Sequence, residues 1–501
     1  MDGFLSGIAV IFDPYVMTMT LLGTIGGIIV GILPGIGSTM AIALLLPFTV
    51  VMEPIPALAV LASLFSANAY SGAIPAILVN TPGSGSSTVT CWDGYPLAKR
   101  GEAGRALGMA TVASGIGGIV SVIVFVIAAP ALARLAYNFG PPEYFAMYVF
   151  GLSMLASIGA SSPVKNLVAG AFGILLATVG IDIVTSVERF TFGMPELTAG
   201  IQFVPVLVGL FAISELLAQS ERLNQKVELI KLKVVQLPSL MDYRKCWKAI
   251  AGSSLIGTFI GILPAAGGTV AALISYNEAR RWSRTPEEFG KGALEGVAAP
   301  EAANNASSGG DMVPTLALGI PGSAATGVIL AGLLAQGVRP GPHLFNEQPH
   351  FVYAIFATMM VANILCIWMC LAGAKLWSQV TLMPTTFLWP TVFVLAVVGS
   401  YSLDQSMIDV YIMLASGVLG YIMRRFDYSP VPVAMGLLLG GLAENALKQS
   451  LLIFDRQWWM FASRPIALVL LILTVLALFA PILLQRLRGR RKLPEEAFQD
   501  E

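Results

Sequence analysis

The chain has 501 residues, 56% of them hydrophobic and 12% charged, with a mean hydropathy of +0.78 and a formal net charge of +0. A soluble domain carries about 25% charged residues, so the composition excludes a soluble globular fold and indicates an all-α polytopic membrane protein. The net charge says nothing about nucleic acid, but there is no basic stripe interleaved with aromatics, so nucleic acid is not expected as a partner.

The N-terminus holds Asp2 and Asp13 and lacks the basic region of a cleavable signal peptide. The first apolar stretch, Pro14–Met52, is interrupted at Gly31-Ile32-Leu33-Pro34 and reads as a hairpin, with Asp13 before it and Glu53 after. From Pro54 through Trp92 there is no Asp, Glu, Lys or Arg, yet the tract contains Asn80-Thr81-Pro82-Gly83-Ser84-Gly85-Ser86-Ser87. Proline lacks an N–H and glycine is a poor helix former. Broken backbone at bilayer depth is tolerated only where it is buried in protein or lines a wet cavity. This break is therefore expected to hold something.

Lysine and arginine begin at Lys99, in an expected loop Asp93–Gly108 that also carries Arg100 and Arg105. Apolar segments follow at about 107–130, 144–160, 167–180 and 197–218, then a basic linker with Arg222, Lys226, Lys231, Lys233, Arg244, Lys245 and Lys248. The positive-inside rule places both basic segments in the cytoplasm, and the four crossings between them agree. The lysine-free N-terminus is then outside.

The second half starts at Ala249, and its hairpin Ala249–Asn277 turns at Pro264–Gly268 between Lys248 and Arg280, Arg281 and Arg284. The polar stretch Pro300–Asp311 is expected to be a loop, or a helix end entering the membrane. Further crossings fall near 313–338, broken at Gly319-Ile320-Pro321-Gly322-Ser323, and at 351–374, 376–398, 405–423, 431–446 and 465–485. The tail, Arg486 to Lys492, is expected to be cytoplasmic. About 11–12 membrane segments result.

The halves repeat. With an offset of 230 residues, Gly27/Gly257, Gly31/Gly261, Ile32/Ile262, Leu33/Leu263, Pro34/Pro264, Gly37/Gly267 and Thr39/Thr269 match. With an offset of 239, Pro75/Pro314, Pro82/Pro321, Gly83/Gly322 and Ser84/Ser323 match. Acidic flanks on the first hairpin and basic flanks on the second predict opposite orientations. The expected domains are a first repeat over 1–218, a linker over 219–248, a second repeat over 249–485 and a tail over 486–501. Inverted repeats with re-entrant hairpins and discontinuous helices are how many secondary transporters are built, with the site at the repeat interface.

None of the four breaks contains Lys or Arg, so an anion there would be met by helix N-termini, each worth about +0.5 charge, and by hydroxyls. The expected substrate-binding residues are Asn80, Thr81, Gly83, Ser84, Ser86 and Ser87, with Gly322, Ser323, Thr326, Asn304 and Asn305. Freed carbonyls and hydroxyls at Gly35, Gly37, Ser38, Thr39, Gly267, Gly268 and Thr269 are expected to hold a coupling ion, sodium in preference to a proton. Ser307 and Ser308 could line the same place, and Glu301 and Asp311 are the best-placed carboxylates for proton coupling. Asp404, Asp409 and Glu444 are read as interfacial. The bland reading makes Gly, Ser and Thr packing residues. Pro-Gly-Ser in both halves argues against it, because packing has no use for the proline. Cys366 and Cys370 are read as packed helix residues, His343 and His350 as loop residues. No nucleophile–base pair or metal motif is present, so an enzyme is not expected. The rival reading is a passive channel or structural membrane scaffold.

Three blocks resemble the large membrane subunit, TctA, of the bacterial tripartite tricarboxylate transporters. They are Gly31–Gly37; Ala76–Gly83 with Asp93–Ala98; and Glu295–Asn305 through Pro314–Ser323 to Pro340–Pro342. The likeness covers essentially the whole chain. Ser84-Gly85-Ser86-Ser87 is more hydroxyl-rich than the family's usual run there, and Ala265-Ala266 replaces the Pro-Gly of the first hairpin. The resemblance implies a small four-helix membrane subunit (TctB-like) and a periplasmic solute-binding protein (TctC-like) as partners. It also implies uptake of a di- or tricarboxylate or aromatic acid across the bacterial inner membrane, driven by a sodium or proton gradient.

Overall fold

The structure is a computed structural model and describes residues 7–33, 36–154, 162–182, 184–221, 238–264, 266–381 and 385–487. Helix α1 (Pro14–Ile32) begins where Asp13 accepts the N–H groups of Tyr15 and Val16 at 2.8 and 3.1 Å, with Pro14 at its first position. The chain turns after Leu33 into α2 (Ser38–Thr49). Helices α3 (Pro54–Ser71) and α4 (Ala73–Val79) lead to the first break, and a short turn, Gly85–Ser87, leads from it into α5 (Thr88–Leu97). Then come α6 (Ala103–Ala136), α7 (Pro141–Met154), α8 (Pro163–Ala177) and α9 (Phe203–Ser220).

The second half is laid out likewise. A hairpin of α10 (Leu240–Ile262) and α11 (Gly267–Trp282) precedes α12 (Leu294–Leu318), the second break and α13 (Ala324–Ala335). Helices α14 (Pro342–Glu347), α15 (Pro349–Ala372), α16 (Ala374–Val380), α17 (Thr385–Asp404), α18 (Met407–Arg425), α19 (Val431–Ile453) and α20 (Pro465–Leu487) follow. Among the described residues the sheet is one antiparallel ribbon, Gly180–Ile181 with Glu188–Arg189. Among the described residues six helical stretches are long and apolar enough to cross a membrane: Pro14–Ile32, Pro54–Val79, Gly85–Ala136, Phe203–Ser220, Pro349–Ala372 and Met407–Arg425. The protein is an all-α polytopic membrane protein.

Two expected loops are helical. The Asp93–Gly108 segment runs through α5 and a widened turn, Ala98–Glu102, where Gly101 at φ 86° makes the bend into α6. Its charges sit at that bend, so they mark the edge of the apolar layer without ending the helix. The Pro300–Asp311 stretch lies in the interior of α12 and is buried throughout. Its small residues explain this: neighbouring glycines press on its backbone, and a Cβ at Gly117, Gly257 or Gly261 would lie 2.1, 2.3 or 2.4 Å from the carbonyls of Ala302, Ala303 and Ser307. Helices α6 and α10 enclose α12. Helix α1 packs on α3 the same way, Gly27 meeting the Leu64 carbonyl at a built Cβ distance of 2.5 Å. The expected linker ends early, because Leu240 already opens α10, capped reciprocally by Ser239 and Asp242. Residues 222–237 and 488–501 lie outside the described residues.

Candidate functional site

Both long breaks have the same backbone form. Asn80 (φ 54°, ψ 28°) and Gly319 (φ 71°, ψ 25°) end their helices in the left-handed region, each donating its N–H to the carbonyl of the proline five residues earlier, Pro75 and Pro314. Ser84 (φ −142°, ψ 163°) and Ser323 (φ −146°, ψ 173°) are then extended and point the chain into the next helix. The hairpins share a first corner: Leu33 (φ −79°, ψ 118°) and Leu263 (φ −78°, ψ 120°) bond back to Val30 and Ile260. They differ afterwards, Gly37 being extended and Gly267 left-handed at φ 61°.

All four breaks meet around one cavity of about 260 Å³. The hairpin tips contribute Gly37, Ser38 and Thr39, and Gly267, Gly268 and Thr269; the long breaks contribute Ser84, Gly85 and Ser86, and Ser323, Ala324 and Ala325. Its wall is closed by Phe65 and Ala69 of α3, Asn304, Ser307, Ser308 and Asp311 of α12, and Val431 and Met435 of α19. The N-termini of α2, α11, α13 and the turn before α5 all end at this wall. No lysine, arginine or histidine is among the lining residues, and Asp311 is the ionisable one.

The hydroxyls are held in place. Ser84 Oγ lies 2.9 and 3.1 Å from Ser86 Oγ and Ser87 Oγ. Ser323 and Thr326 cap α13 reciprocally, with 2.9 and 3.4 Å bonds between backbone N–H and side-chain oxygen. Ser38 Oγ donates to Asn68 Oδ1 at 2.7 Å. Glu301, fully buried on α12, accepts from Thr90 Oγ1 at 2.5 Å and Ser114 Oγ at 3.0 Å, so it ties three helices together away from the cavity wall.

Several of the expected residues stand behind the wall. Gly83 and Gly322 send their N–H groups to the Gly72 carbonyl (3.3 Å) and Thr315 Oγ1 (3.2 Å), and are glycine because a Cβ would lie 2.2 Å from the Gly31 carbonyl and 2.5 Å from Asp311 Cα. Ser87 and Thr326 support Ser84 and Ser323. Asn305 Nδ2 donates to the Ser114 carbonyl at 3.0 Å. Asn80 forms the left-handed turn, and Thr81 Oγ1 bonds the Val79 carbonyl at 3.3 Å. Gly35, with Pro34 and Ala265, lies outside the described residues. Phe65, Ala69, Val431 and Met435 were not anticipated: an apolar residue of a membrane helix has the same signature whether it faces lipid, core or cavity.

A second cavity of about 670 Å³ is lined by Tyr144, Tyr148, Arg339, His343, Asn445 and Gln449, among others. Helix α19 connects the two, with Met435 on the first and Leu442 on the second, about 10 Å apart along the helix.

No solved structure matches the chain. A 52.8 kDa protein in the TAR-I ttuC' 3' region of Agrobacterium vitis is 38% identical over 485 residues, 97% of this chain and 96% of that protein. A protein in the TAR-II ttuC' 3' region of the same organism is 35% identical over 235 residues, 47% of this chain and 97% of that protein. The profile of the tripartite tricarboxylate transporter TctA family matches residues 17–435. The four breaks and every residue that lines the cavity lie within that span, and the chain belongs to the TctA family, the large membrane subunit of tripartite tricarboxylate transporters.

Proposed function

We propose that this subunit imports an organic carboxylate by secondary active transport, holding it in the cavity where the four breaks meet. The observation that carries this reading is the convergence of four helix N-termini with Ser38, Thr39, Ser84, Ser86, Thr269 and Ser323 around a space without a basic side chain. Each end supplies about half a positive charge, so together they offset one to two negative charges. The apolar side formed by Phe65, Ala69, Val431 and Met435 suits the carbon skeleton.

The halves act as inverted repeats, 1–218 and 249–485. Support comes from reciprocal packing: α1 on α3 and α10 on α12, α6 with α12 and α15 with α3, α8 with α19 and α9 with α18. The lining residues also fall into pairs, Gly37/Gly267, Thr39/Thr269, Phe65/Asn304, Ala69/Ser308 and Ser84/Ser323. The side with Lys165, Glu221, Arg425 and Phe426, joined by contacts at 2.6 and 2.7 Å, faces the cytoplasm. The side with Asp182, Arg189, Glu444 and Lys448 faces outward, and with it the N-terminus. The larger cavity then opens outward, where a TctC-like binding protein would deliver substrate, with a TctB-like subunit completing the inner-membrane complex.

In proteoliposomes with its partners, Ser84→Leu or Ser323→Leu should abolish uptake while leaving the protein monodisperse and folded. Normal transport by both variants would remove the site. Saturable accumulation against a gradient separates this reading from a passive channel or scaffold.

A further inference from the structure

Asn304, Ser307, Ser308 and Asp311 lie at helical spacings of three, four and seven residues, so they form one face of α12, and all four line the cavity. That face offers lone pairs, and its hydroxyl protons are already committed to backbone carbonyls. Ser307 and Ser308 spend their hydroxyl protons on the carbonyls of Asn304 and Asn305, at 2.8 and 2.7 Å. Asn304 Nδ2 donates to the Ala69 carbonyl at 2.6 Å, which turns its Oδ1 toward the hairpin tip at Gly268. Asp311 is 2% exposed, and its Oδ1 has no hydrogen-bond partner. Buried polar atoms are rarely left unpaired, and a buried carboxylate least of all.

An anion needs donors; a row of neutral acceptors ending in a carboxylate that Ser323 bonds and whose Oδ1 is left unpaired is the complement of a hard cation, which takes oxygen ligands. The positions 239 residues earlier are Phe65, Asn68, Ala69 and Gly72, so the repeat carries this face once, on α12 alone. We infer that α12 binds a sodium ion here, with Asp311 Oδ1 as the charged ligand and Ser307 Oγ, Ser308 Oγ and Asn304 Oδ1 as neutral ones. The ion is what admits the substrate: bound beside Asp311 it compensates the carboxylate's charge, so that an incoming anion meets a neutral pair and not an ionised Asp311. Coupling therefore resides in one residue, not in the hairpin backbone. This rests on the reading of the cavity as the substrate site.

The test is a sodium titration of the purified full chain in detergent, with N-methylglucamine holding ionic strength constant and thermal unfolding as the readout. The wild-type protein should be stabilised saturably by sodium, and Asp311→Asn should lose that response. Ser308→Ala, which keeps the helix intact if Asp311→Asn does not fold, should weaken the apparent sodium affinity about tenfold. In proteoliposomes with the partner subunits, Asp311→Asn should equilibrate substrate without concentrating it. A wild-type protein indifferent to sodium overturns the proposal, as does accumulation that follows a proton gradient alone, or variants with wild-type sodium dependence. Since the titration contains no substrate, its failure is separable from that of the substrate site, which Ser84→Leu and Ser323→Leu test.

Discussion

The sharpest consequence of the geometry is that glycines around the cavity, chemically alike, should respond differently to a single methyl group. At Gly83 a Cβ would stand 2.2 Å from the Gly31 carbonyl and 2.7 Å from Gly72 Cα; at Gly322 it would stand 2.5 Å from Asp311 Cα. Ordinary contact begins at 3.4 Å, so the first break must retreat from α1 by about 1 Å and the second from α12 by nearly as much. Backbone on both sides leaves no flexible side chain to yield. Overpacking of this kind costs about 1–3 kcal/mol, and a displacement of roughly 1 Å at the adjoining Ser84 or Ser323 should reduce uptake on the order of 100-fold. Gly37, on the same cavity, has nothing within 4 Å of its Cβ and an unstrained φ of −71°. Gly83→Ala and Gly322→Ala should thus lower the unfolding midpoint in detergent and nearly abolish uptake, whereas Gly37→Ala should leave the midpoint unchanged. Equal midpoints for all three variants would refute the claim that the Pro-Gly corners are seated against neighbouring backbone.

Two further outcomes are expected. Asp242 caps α10, and the Arg105 guanidinium beside it holds its carboxyl down to about 2. A carboxylate depressed in the folded state stabilises above its ordinary range near 3.9 and loses that contribution as pH falls toward 2. Asp242→Asn should therefore cost roughly 1 kcal/mol at pH 7, after allowance for the half-exposed Arg105, and the difference should shrink between pH 4 and pH 2 in thermal melts. The native cysteines Cys91, Cys246, Cys366 and Cys370 are all buried, so single cysteines can be placed on a quiet background. At His343 or Trp458 they should react with an impermeant maleimide from outside, and at Lys99 or Arg284 only after permeabilisation; the reverse pattern would invert the orientation.

What the amino-acid sequence reveals about this site follows from which features are local. Proline and glycine in a charge-free tract announce a break wherever the tract folds, and the matched blocks at offsets of 230 and 239 announce that it happens twice. Convergence is a long-range property, fixed by contacts such as Gly85 with Thr269 (a built Cβ distance of 3.2 Å), and no spacing encodes it. The α12 stretch misleads because polarity is the usual mark of a surface loop. Here Asn304, Ser307 and Ser308 are inside because Gly257, Gly261 and Gly117 on neighbouring helices leave room only for small side chains against α12. Gly83 illustrates the converse: the sequence singles it out with its neighbours as a donor, and the fold uses it for close approach.

On the proposed reading of the cavity, the choice of ligands also accounts for release. An arginine in the cavity would pair with a carboxylate through two parallel charge-assisted bonds, roughly twice as strong as neutral ones, and would hold its anion regardless of the ion gradient. Hydroxyls and helix ends grip less, and their net attraction is set against Asp311 whenever its carboxylate is ionised. For two unit charges about 5 Å apart at an effective dielectric near 20, that opposition is about 3 kcal/mol, or on the order of 100-fold in affinity. A cation that arrives with the substrate removes the penalty, and a cation that leaves restores it. A site built from four broken helices and one carboxylate can therefore be strong when loaded from the sodium-rich side and weak when opened to the sodium-poor one, without a change in any protein contact to the anion.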